Sequence, residues 1–165
     1  MAQQQQQQHI TFRKATVQDA VAMDAINRKC LPENYHLVEW QSILAFMPSL
    51  SYVAMVNGKH VGYCLGILEY VKDKTASIAS IAVLPEYRGK KIGQSLLSKS
   101  FEAMRLMKIE TVTLHVRISN MTAQKLYYIM GFRKYKRVAK YYVNGEDAYI
   151  LKKDLTENDL DSTKI

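Results

Sequence analysis

A strand that runs through a basic turn into an amphipathic helix is the feature that most restricts how this chain can fold. The run TASIASIAVL, residues 75–84, is rich in small and β-branched residues and predicts a strand. From Ile92 to about Met107, apolar residues occupy one half of a helical wheel, which predicts a surface helix packed on a sheet. The segment between them is Arg88-Gly89-Lys90-Lys91-Ile92-Gly93, called here the basic turn.

The charge of the basic turn is wrong for the start of a helix but suits an anionic ligand. The first turn of a helix has N–H groups without intrahelical acceptors, and the helix dipole adds about half a positive charge there. Without an anion, the cations Arg88, Lys90 and Lys91 would oppose this dipole. Gly89 and Gly93 would let a ligand approach the backbone closely. The turn therefore predicts a phosphate or diphosphate site, with solvent-exposed lysines in an ordinary loop as the alternative.

Strand and helix patterns alternate along the rest of the chain. Further strands are expected in HITFRKA, on both sides of Asn57-Gly58, in TVTLHVRI, and in a last hairpin around Asn144-Gly145. Further helices are expected from Thr16 to about Lys29, over 37–46, and in NMTAQKLYYIM up to Gly131. The expected fold is α+β (α/β): one mixed, mostly antiparallel sheet of about seven strands flanked by about four helices.

Length and composition fit a single domain of this kind. The chain has 165 residues, of which 48% are hydrophobic and 23% charged. The domain is expected to span 10–155, between a disordered glutamine-rich tail at 1–9 and a flexible polar tail at 156–165. No apolar run reaches the roughly 20 residues that cross a bilayer, and the N-terminus has no secretory signal pattern. A cytoplasmic protein without a membrane partner is expected.

Charge and cysteine usage narrow the classes of partner. The formal net charge of +8 favours an anionic partner, either a nucleic acid, a phosphorylated ligand or a lipid surface, although a merely basic surface is equally compatible. No RNP pattern, zinc motif or long basic helix supports a nucleic-acid-binding module, so no nucleic-acid partner is expected. Cys30 and Cys64 lie far apart without a C-x-x-C motif, so neither a metal site nor a disulfide framework is expected.

Two motifs together resemble the GCN5-related N-acetyltransferase (GNAT) superfamily. Its pattern [QR]-x-x-G-x-[GA] matches residues 88–93, except that Lys91 stands where the superfamily usually has glycine. The segment SNMTAQKLYYIMGF matches the second part of the signature. The resemblance implies that acetyl-CoA is the cosubstrate and that the backbone amides of the turn hold its diphosphate. The cofactor-binding residues that it implies are Ile81, Ala82, Val83, Arg88, Gly89, Lys90, Lys91, Ile92, Gly93, Asn120 and Tyr127.

The same resemblance assigns roles near the thioester. Tyr127 would protonate the departing thiolate, although a purely structural core aromatic is the alternative. A backbone N–H near Ile81 to Val83 would stabilise the oxyanion of the tetrahedral intermediate.

Three separated segments resemble a narrower group within the superfamily. CLPENY, LHVRISN and YYVNGEDAYILKKDL are similar to the catalytic subunit of the main protein N-terminal acetyltransferases and to its archaeal single-chain relatives, from about Ile10 to Leu155. The implied reaction is direct transfer of acetyl to the α-amine of a protein within a ternary complex. An acetyltransferase for a small amine or a lysine side chain is the main alternative.

Two residues are candidates for the general base. An α-amine has a pKa near 8, so about a tenth of it is neutral at pH 7 and a weak base or a water chain suffices. His115 lies on one strand face with Thr113 and Arg117 and matches a histidine that acts through water in some relatives. Glu33 matches a glutamate important in the closest relatives. A tyrosine used near the base in some relatives aligns with Ser77, so this chain departs from those relatives at that position.

The resemblance places the substrate polypeptide between the LPENY loop and the last hairpin. The implied substrate-binding residues are Leu31, Pro32, Glu33, Tyr35, Arg117, Tyr141 and Tyr142. Tyr141 and Tyr142 would bind substrate backbone, with cross-strand packing of one of them as the alternative. Arg117 would pair with an acid, either Glu33 or Glu146.

Partners follow from the same resemblance. Protein N-termini are the expected substrates, with ribosomal proteins among them. Some relatives use an auxiliary helical-repeat subunit, and the short C-terminal tail favours a chain that acts alone.

Overall fold

The computed structural model describes residues 8–47 and 50–156, in which seven strands and four helices form one domain. The elements are β1 (Ile10–Lys14), α1 (Ala20–Cys30), α2 (Leu37–Phe46), β2 (Tyr52–Val56), β3 (Lys59–Tyr70), β4 (Thr75–Val83), α3 (Ile92–Leu106), β5 (Thr111–Arg117), α4 (Met121–Ile129), β6 (Arg133–Val138) and β7 (Ala148–Asp154). The predicted fold class is confirmed. Apart from 8, 9 and 156, the two predicted tails lie outside the described residues.

The seven strands form one mixed sheet in the order β1-β2-β3-β4-β5-β7-β6. Five of its strand pairs are antiparallel, and β4 and β5 are parallel. The parallel pairing runs only from Thr75↔Thr111 to Ser77↔Thr113, although both strands continue further. Beyond these pairs β4 and β5 diverge and leave a gap in the middle of the sheet. The backbone groups that line this gap lack a neighbouring strand and are open to a ligand.

A β-bulge on β4 lies beside this gap. Leu65 pairs with Ser80 and Gly66 with Ile78, so Ala79 has no partner on β3. Such a bulge bends its strand and redirects neighbouring side chains.

Helices cover both faces of the sheet, and the core has two parts. On one face, α3 and α4 bury residues such as Leu96, Phe101 and Tyr127. On the other face, α1 and α2 bury Met23 and Trp40. In β4 every second residue is buried, and the bulge at Ala79 divides them between the two faces: Ala76 and Ile78 belong to the first part of the core and Ala82 to the second.

Of the two predicted hairpins, the first is present as predicted and the second is shorter than predicted. Asn57 and Gly58 have φ values of 49° and 75°, which the predicted type I′ turn requires at both positions. The last hairpin was predicted too long, because β6 ends at Val138 and residues 139–147 form a loop, called here the β6–β7 loop. The Asp147 carboxylate accepts a hydrogen bond from the backbone N–H of Lys140 at 2.8 Å and thereby fixes the loop.

Among residues 8–47 and 50–156, no helix combines the length and apolar character that a membrane span requires.

Candidate active site

Two adjoining cavities occupy the gap between β4 and β5. The first, called here the basic cavity, has a volume of about 670 Å³ and lies between the basic turn, the start of α3 and α4. The second, called here the acidic cavity, has a volume of about 460 Å³ and lies between β5, the loop before α2 and the β6–β7 loop. Both cavities are lined by Cys30, Leu31, Ile81, Asn120 and Tyr127. The divergence of the two strands therefore creates one continuous site.

The two cavities differ in the charge of their walls. The charged residues that line the basic cavity are Arg88 and Lys91. Those that line the acidic cavity are Glu33, Glu69 and Arg117. A ligand with an anionic end and a ligand with a cationic end can therefore meet where the cavities join.

The basic turn has a strained backbone at the start of α3. Lys91 precedes the helix with φ 59° and ψ 22°, the left-handed conformation that costs a residue with a β-carbon about 1–2 kcal/mol. Gly89 also has a positive φ, 77°. The Arg88 Nε donates to the carbonyl of Val83 at 2.9 Å and ties the turn to the end of β4. Arg88, Gly89 and residues 91–94 line the basic cavity, so the amides of the first turn of α3 border it.

The structure adds a second reason for glycine at position 93. A β-carbon there would lie 3.3 Å from the Leu126 Cδ2, so the absence of a side chain lets α3 and α4 pack closely.

Two residues of the α4 segment lie at the junction of the cavities. The Asn120 Oδ1 accepts a hydrogen bond from the backbone N–H of Ala123 at 3.1 Å and caps the helix. Tyr127 is 7% exposed and packs edge-on against Phe132, with ring centroids 5.9 Å apart. Burial raises the pKa of Tyr127, so its hydroxyl stays protonated at neutral pH. Tyr127 is thus both a core aromatic and a lining residue of the two cavities.

The strand β5 presents His115 and Arg117 to the acidic cavity. Its residues alternate as predicted, with Val112, Leu114 and Val116 buried on the other face. The His115 ring stacks on Tyr141, with centroids 4.4 Å apart and planes within 8°. Partial burial lowers the pKa of His115, and the negative charge of Glu69 opposes this shift. The imidazole is therefore neutral near pH 7 and can accept a proton.

Arg117 joins the two loops that form the roof of the acidic cavity. It donates to Glu33 from the loop before α2 and, at 2.9 Å, to Glu146 from the β6–β7 loop. Its guanidinium also lies 4.0 Å from the ring centroid of Tyr142. The sequence analysis proposed either Glu33 or Glu146 as the partner, and the structure contains both ion pairs. Hydrogen bonds from Ser119 and Arg117 lower the pKa of Glu146, so that this anchor stays ionised.

The structure corrects the local environment of the paired tyrosines. Tyr141 and Tyr142 lie in the β6–β7 loop rather than in a strand, so they need not face opposite ways. Both line the acidic cavity, and their rings pack edge-to-face with centroids 5.0 Å apart. Burial is the main cause that raises the pKa of Tyr142 to about 12, so it is a hydrogen-bond donor at neutral pH.

The loop before α2 contributes the remaining predicted residues. Leu31, Pro32, Glu33 and Tyr35 all line the acidic cavity. The Tyr35 hydroxyl donates to the carbonyl of Ala79, the bulged residue of β4, at 3.3 Å. This bond fixes the loop against the sheet.

Two polar residues of the site, Gln124 and Glu69, were not found from the sequence. Buried Gln124 donates to the carbonyls of Arg117 and Ile118 and fixes α4 against the end of β5. The Ser77 hydroxyl donates to Glu69 at 2.6 Å, and both residues line the acidic cavity. The sequence offers one sign that Gln124 belongs to the site: it follows Asn120 by one helical turn and so lies on the same side of the helix.

In residues 8–47 and 50–156, no three or more His, Cys, Asp or Glu side chains are grouped as metal ligands would be.

A comparison with protein families agrees with this geometry. The model of the acetyltransferase (GNAT) family matches residues 20–132, which is more than half of the chain. The chain therefore belongs to the GNAT acetyltransferases, enzymes of the acyltransferase class.

Individual relatives define the group within that family. The catalytic subunit NAA10 of the N-terminal acetyltransferase A complex of Arabidopsis thaliana is 39% identical over 150 residues, which cover 88% of this chain and 78% of that protein. An N-alpha-acetyltransferase of Saccharolobus solfataricus is 36% identical over 172 aligned positions, and the alignment covers 94% of this chain and 99% of that protein. This places the chain among the N-alpha-acetyltransferases. The crystal structure of Ard1 from Thermoplasma volcanium has the same fold, with a TM-score of 0.84 at 24% identity over 90% of this chain and 99% of that one.

Proposed function

We propose that this enzyme transfers the acetyl group of acetyl-CoA directly to the free α-amine of protein N-termini within a ternary complex. The observation that carries the proposal is the pair of adjoining cavities, one basic and one acidic, that meet at Tyr127. The first suits a phosphorylated carrier and the second suits an amine. Membership of the N-alpha-acetyltransferases supports the choice of both substrates.

The basic cavity is proposed to hold acetyl-CoA. The amides of 88–93 and the ammonium group of Lys91 would bind the diphosphate at the start of α3. The rest of the carrier would lie along the unpaired side of β4, from Val83 back to Ile81. This arrangement brings the thioester to the junction, beside Asn120 and Tyr127.

The proposed chemistry uses one proton acceptor and one proton donor. The neutral amine nitrogen attacks the thioester carbonyl carbon, and a backbone N–H near Ile81 to Val83 donates to the oxyanion. His115 accepts the proton of the amine through a water molecule. The carbon–sulfur bond then breaks, and the Tyr127 hydroxyl gives its proton to the thiolate sulfur. Glu33 is proposed to orient the loop and the incoming amine, because Arg117 already engages its carboxylate.

The acidic cavity is proposed to bind the first residues of a polypeptide. Leu31, Pro32 and Tyr35 form one wall, and Tyr141 and Tyr142 would donate to substrate backbone carbonyls. A cavity enclosed by two loops favours an extended chain over a small amine. Ribosomal proteins as substrates, action without an auxiliary subunit and a cytoplasmic location are finer parts of this proposal.

The test is a panel of acetyl acceptors with acetyl-CoA, in which release of free thiol and the mass of the product are measured. Peptides that begin with Ser, Ala, Met-Leu, Met-Glu or Glu are compared with spermidine and with N-terminally blocked peptides that contain lysine. We expect acetylation of at least one free α-amine and none of the blocked peptides. Acetylation of spermidine or lysine alone would contradict the proposed substrate class, and calorimetry without heat on addition of CoA would contradict the proposed carrier site.

Two variants test the assigned chemistry. His115→Ala and Glu33→Ala are each expected to lower kcat/KM while CoA still binds, because neither residue lines the basic cavity. Full activity in both variants would show that the proton acceptor is elsewhere.

A further inference from the structure

Glu69 is a carboxylate of the acidic cavity that the proposed chemistry does not use. Within the described part of the chain, its carboxylate has one hydrogen-bond partner, the Ser77 hydroxyl at 2.6 Å, and no ion pair. The other lining carboxylate, Glu33, is paired with Arg117. Lys74, a cation in the turn after β3, is already bound to Glu110 at 2.5 Å. Glu69 therefore leaves an uncompensated negative charge in the cavity.

The local backbone presents this carboxylate to the cavity. Leu68 pairs with Ala76 and Tyr70 with Thr75, so Glu69 is the bulged residue of β3. The hydrogen bond from Ser77 then fixes its position. Ser77 is the last residue of β4 that pairs with β5, opposite Thr113. Glu69 thus lies at the closed end of the gap.

The distance from the reaction centre follows from strand geometry. Ile81, which lines both cavities, lies four residues along β4 from Ser77, or about 13 Å. An extended substrate advances about 3.3–3.6 Å per residue. When the substrate amine lies beside Ile81, the backbone of the third or fourth residue lies about 7–11 Å along β4, and a long side chain covers the remaining distance to the carboxylate of Glu69.

We propose that Glu69 is a specificity residue that binds a cationic side chain, lysine or arginine, at the third or fourth position of the substrate. This inference rests on the proposed function. The protein as a whole carries a net charge of +8 and so repels basic peptides at long range. A preference for a cation at one position would therefore need a local anion, and Glu69 supplies it.

The experiment places one lysine in turn at positions 2 to 6 of an otherwise neutral peptide that the enzyme acetylates. For the wild type, kcat/KM should be about two- to fivefold higher with lysine than with glutamine at position 3 or 4, as for an exposed ion pair. The effect should lie mainly in KM and shrink as salt is added. Positions 2, 5 and 6 should show less preference.

Two variants of Glu69 and one matched control complete the design. Glu69→Gln should abolish the preference, and Glu69→Lys should reverse it in favour of a glutamate in the peptide. Glu102→Gln removes another exposed carboxylate, on α3 and outside both cavities, and should leave the preference unchanged. Binding of CoA to each variant verifies that it is folded.

The outcomes separate this inference from the proposed function. Equal acetylation of all peptides by the wild type, or an unchanged preference in Glu69→Gln, overturns the role of Glu69 and leaves the proposed function standing. Absence of α-amine acetylation with every peptide in the acceptor panel overturns the proposed function, and the role of Glu69 with it.

Discussion

Replacement of Lys91 by glycine should make the free protein more stable and its complex with CoA weaker. Lys91 has the left-handed conformation, with φ 59°, at the position immediately before α3. Glycine removes the steric cost of about 1–2 kcal/mol but loses up to about 1 kcal/mol of backbone entropy on folding. Removal of a cation from the positive end of the dipole adds about 0.3–1 kcal/mol. The expected net gain in the free energy of unfolding is about 1 kcal/mol.

The gain is measured by urea denaturation without CoA. With an m-value of about 1–3 kcal/mol/M, the midpoint should rise by about 0.3–1 M, and the melting temperature by about 2–4 °C. Calorimetry should show that CoA binds about two- to fivefold more weakly, because an ammonium group near the diphosphate is lost. A variant that is more stable but binds CoA more weakly would show that Lys91 serves CoA binding at a cost in stability.

Lys91→Gln is the matched control, because it removes the charge and keeps the β-carbon. It should weaken CoA binding as Lys91→Gly does. Its free energy of unfolding should rise only by the part that comes from the helix dipole. If Lys91→Gly is no more stable than Lys91→Gln, the strain argument is wrong. If Lys91→Gly binds CoA as tightly as the wild type, the side chain does not contact the carrier.

Further changes test other parts of the structure. Tyr127→Phe should lower kcat by about a hundredfold, the range of general acid catalysis, while the Kd for CoA by calorimetry changes little. In the wild type kcat/KM already falls below about pH 8 as the substrate amine is protonated, and the fall should steepen below the usual histidine range, because His115 must be neutral and burial lowers its pKa; His115→Gln should lack this steepening. Burial alone would raise the pKa of Asp19, a buried carboxylate before α1. Hydrogen bonds from the Arg13 guanidinium, the Thr16 backbone N–H and the His60 imidazole instead hold this pKa well below its usual range. Asp19→Asn should therefore reduce stability at pH 7, with the difference in urea midpoint shrinking as the pH falls below about 4. Gly66→Ala should cost about 1–3 kcal/mol in the same assay, because its β-carbon would lie 2.5 Å from the carbonyl oxygen of Leu50.

Most of the sheet and the helices could be predicted from the sequence, because they depend on periodicity and turn chemistry. The hairpin at Asn57-Gly58 and the helix after the basic turn were both predictable from local patterns. The last hairpin was not predictable in this way. The left-handed conformation of Lys140 and the hydrogen bond from its backbone N–H to Asp147 interrupt a run of residues with high strand propensity. In that case tertiary hydrogen bonds override local preference.

The site was only partly predictable, for a related reason. Residues that the resemblance named, such as Tyr127 and Arg117, do line the two cavities. Glu69 could not be found, because its position depends on a bulge that shifts the register of β3 against β4. A bulge depends on packing across strands, and a single sequence gives no measure of it.

The divergence of β4 from β5 has a consequence for the enzyme between reactions. The opening in the middle of the sheet is filled only when a carrier molecule binds there. Occupancy by the carrier and the stability of the fold are therefore linked by mass action. A ligand present at a hundred times its Kd adds about 2.7 kcal/mol to the free energy of unfolding. The resistance of this protein to heat and proteolysis should therefore rise and fall with the supply of activated acetate around it.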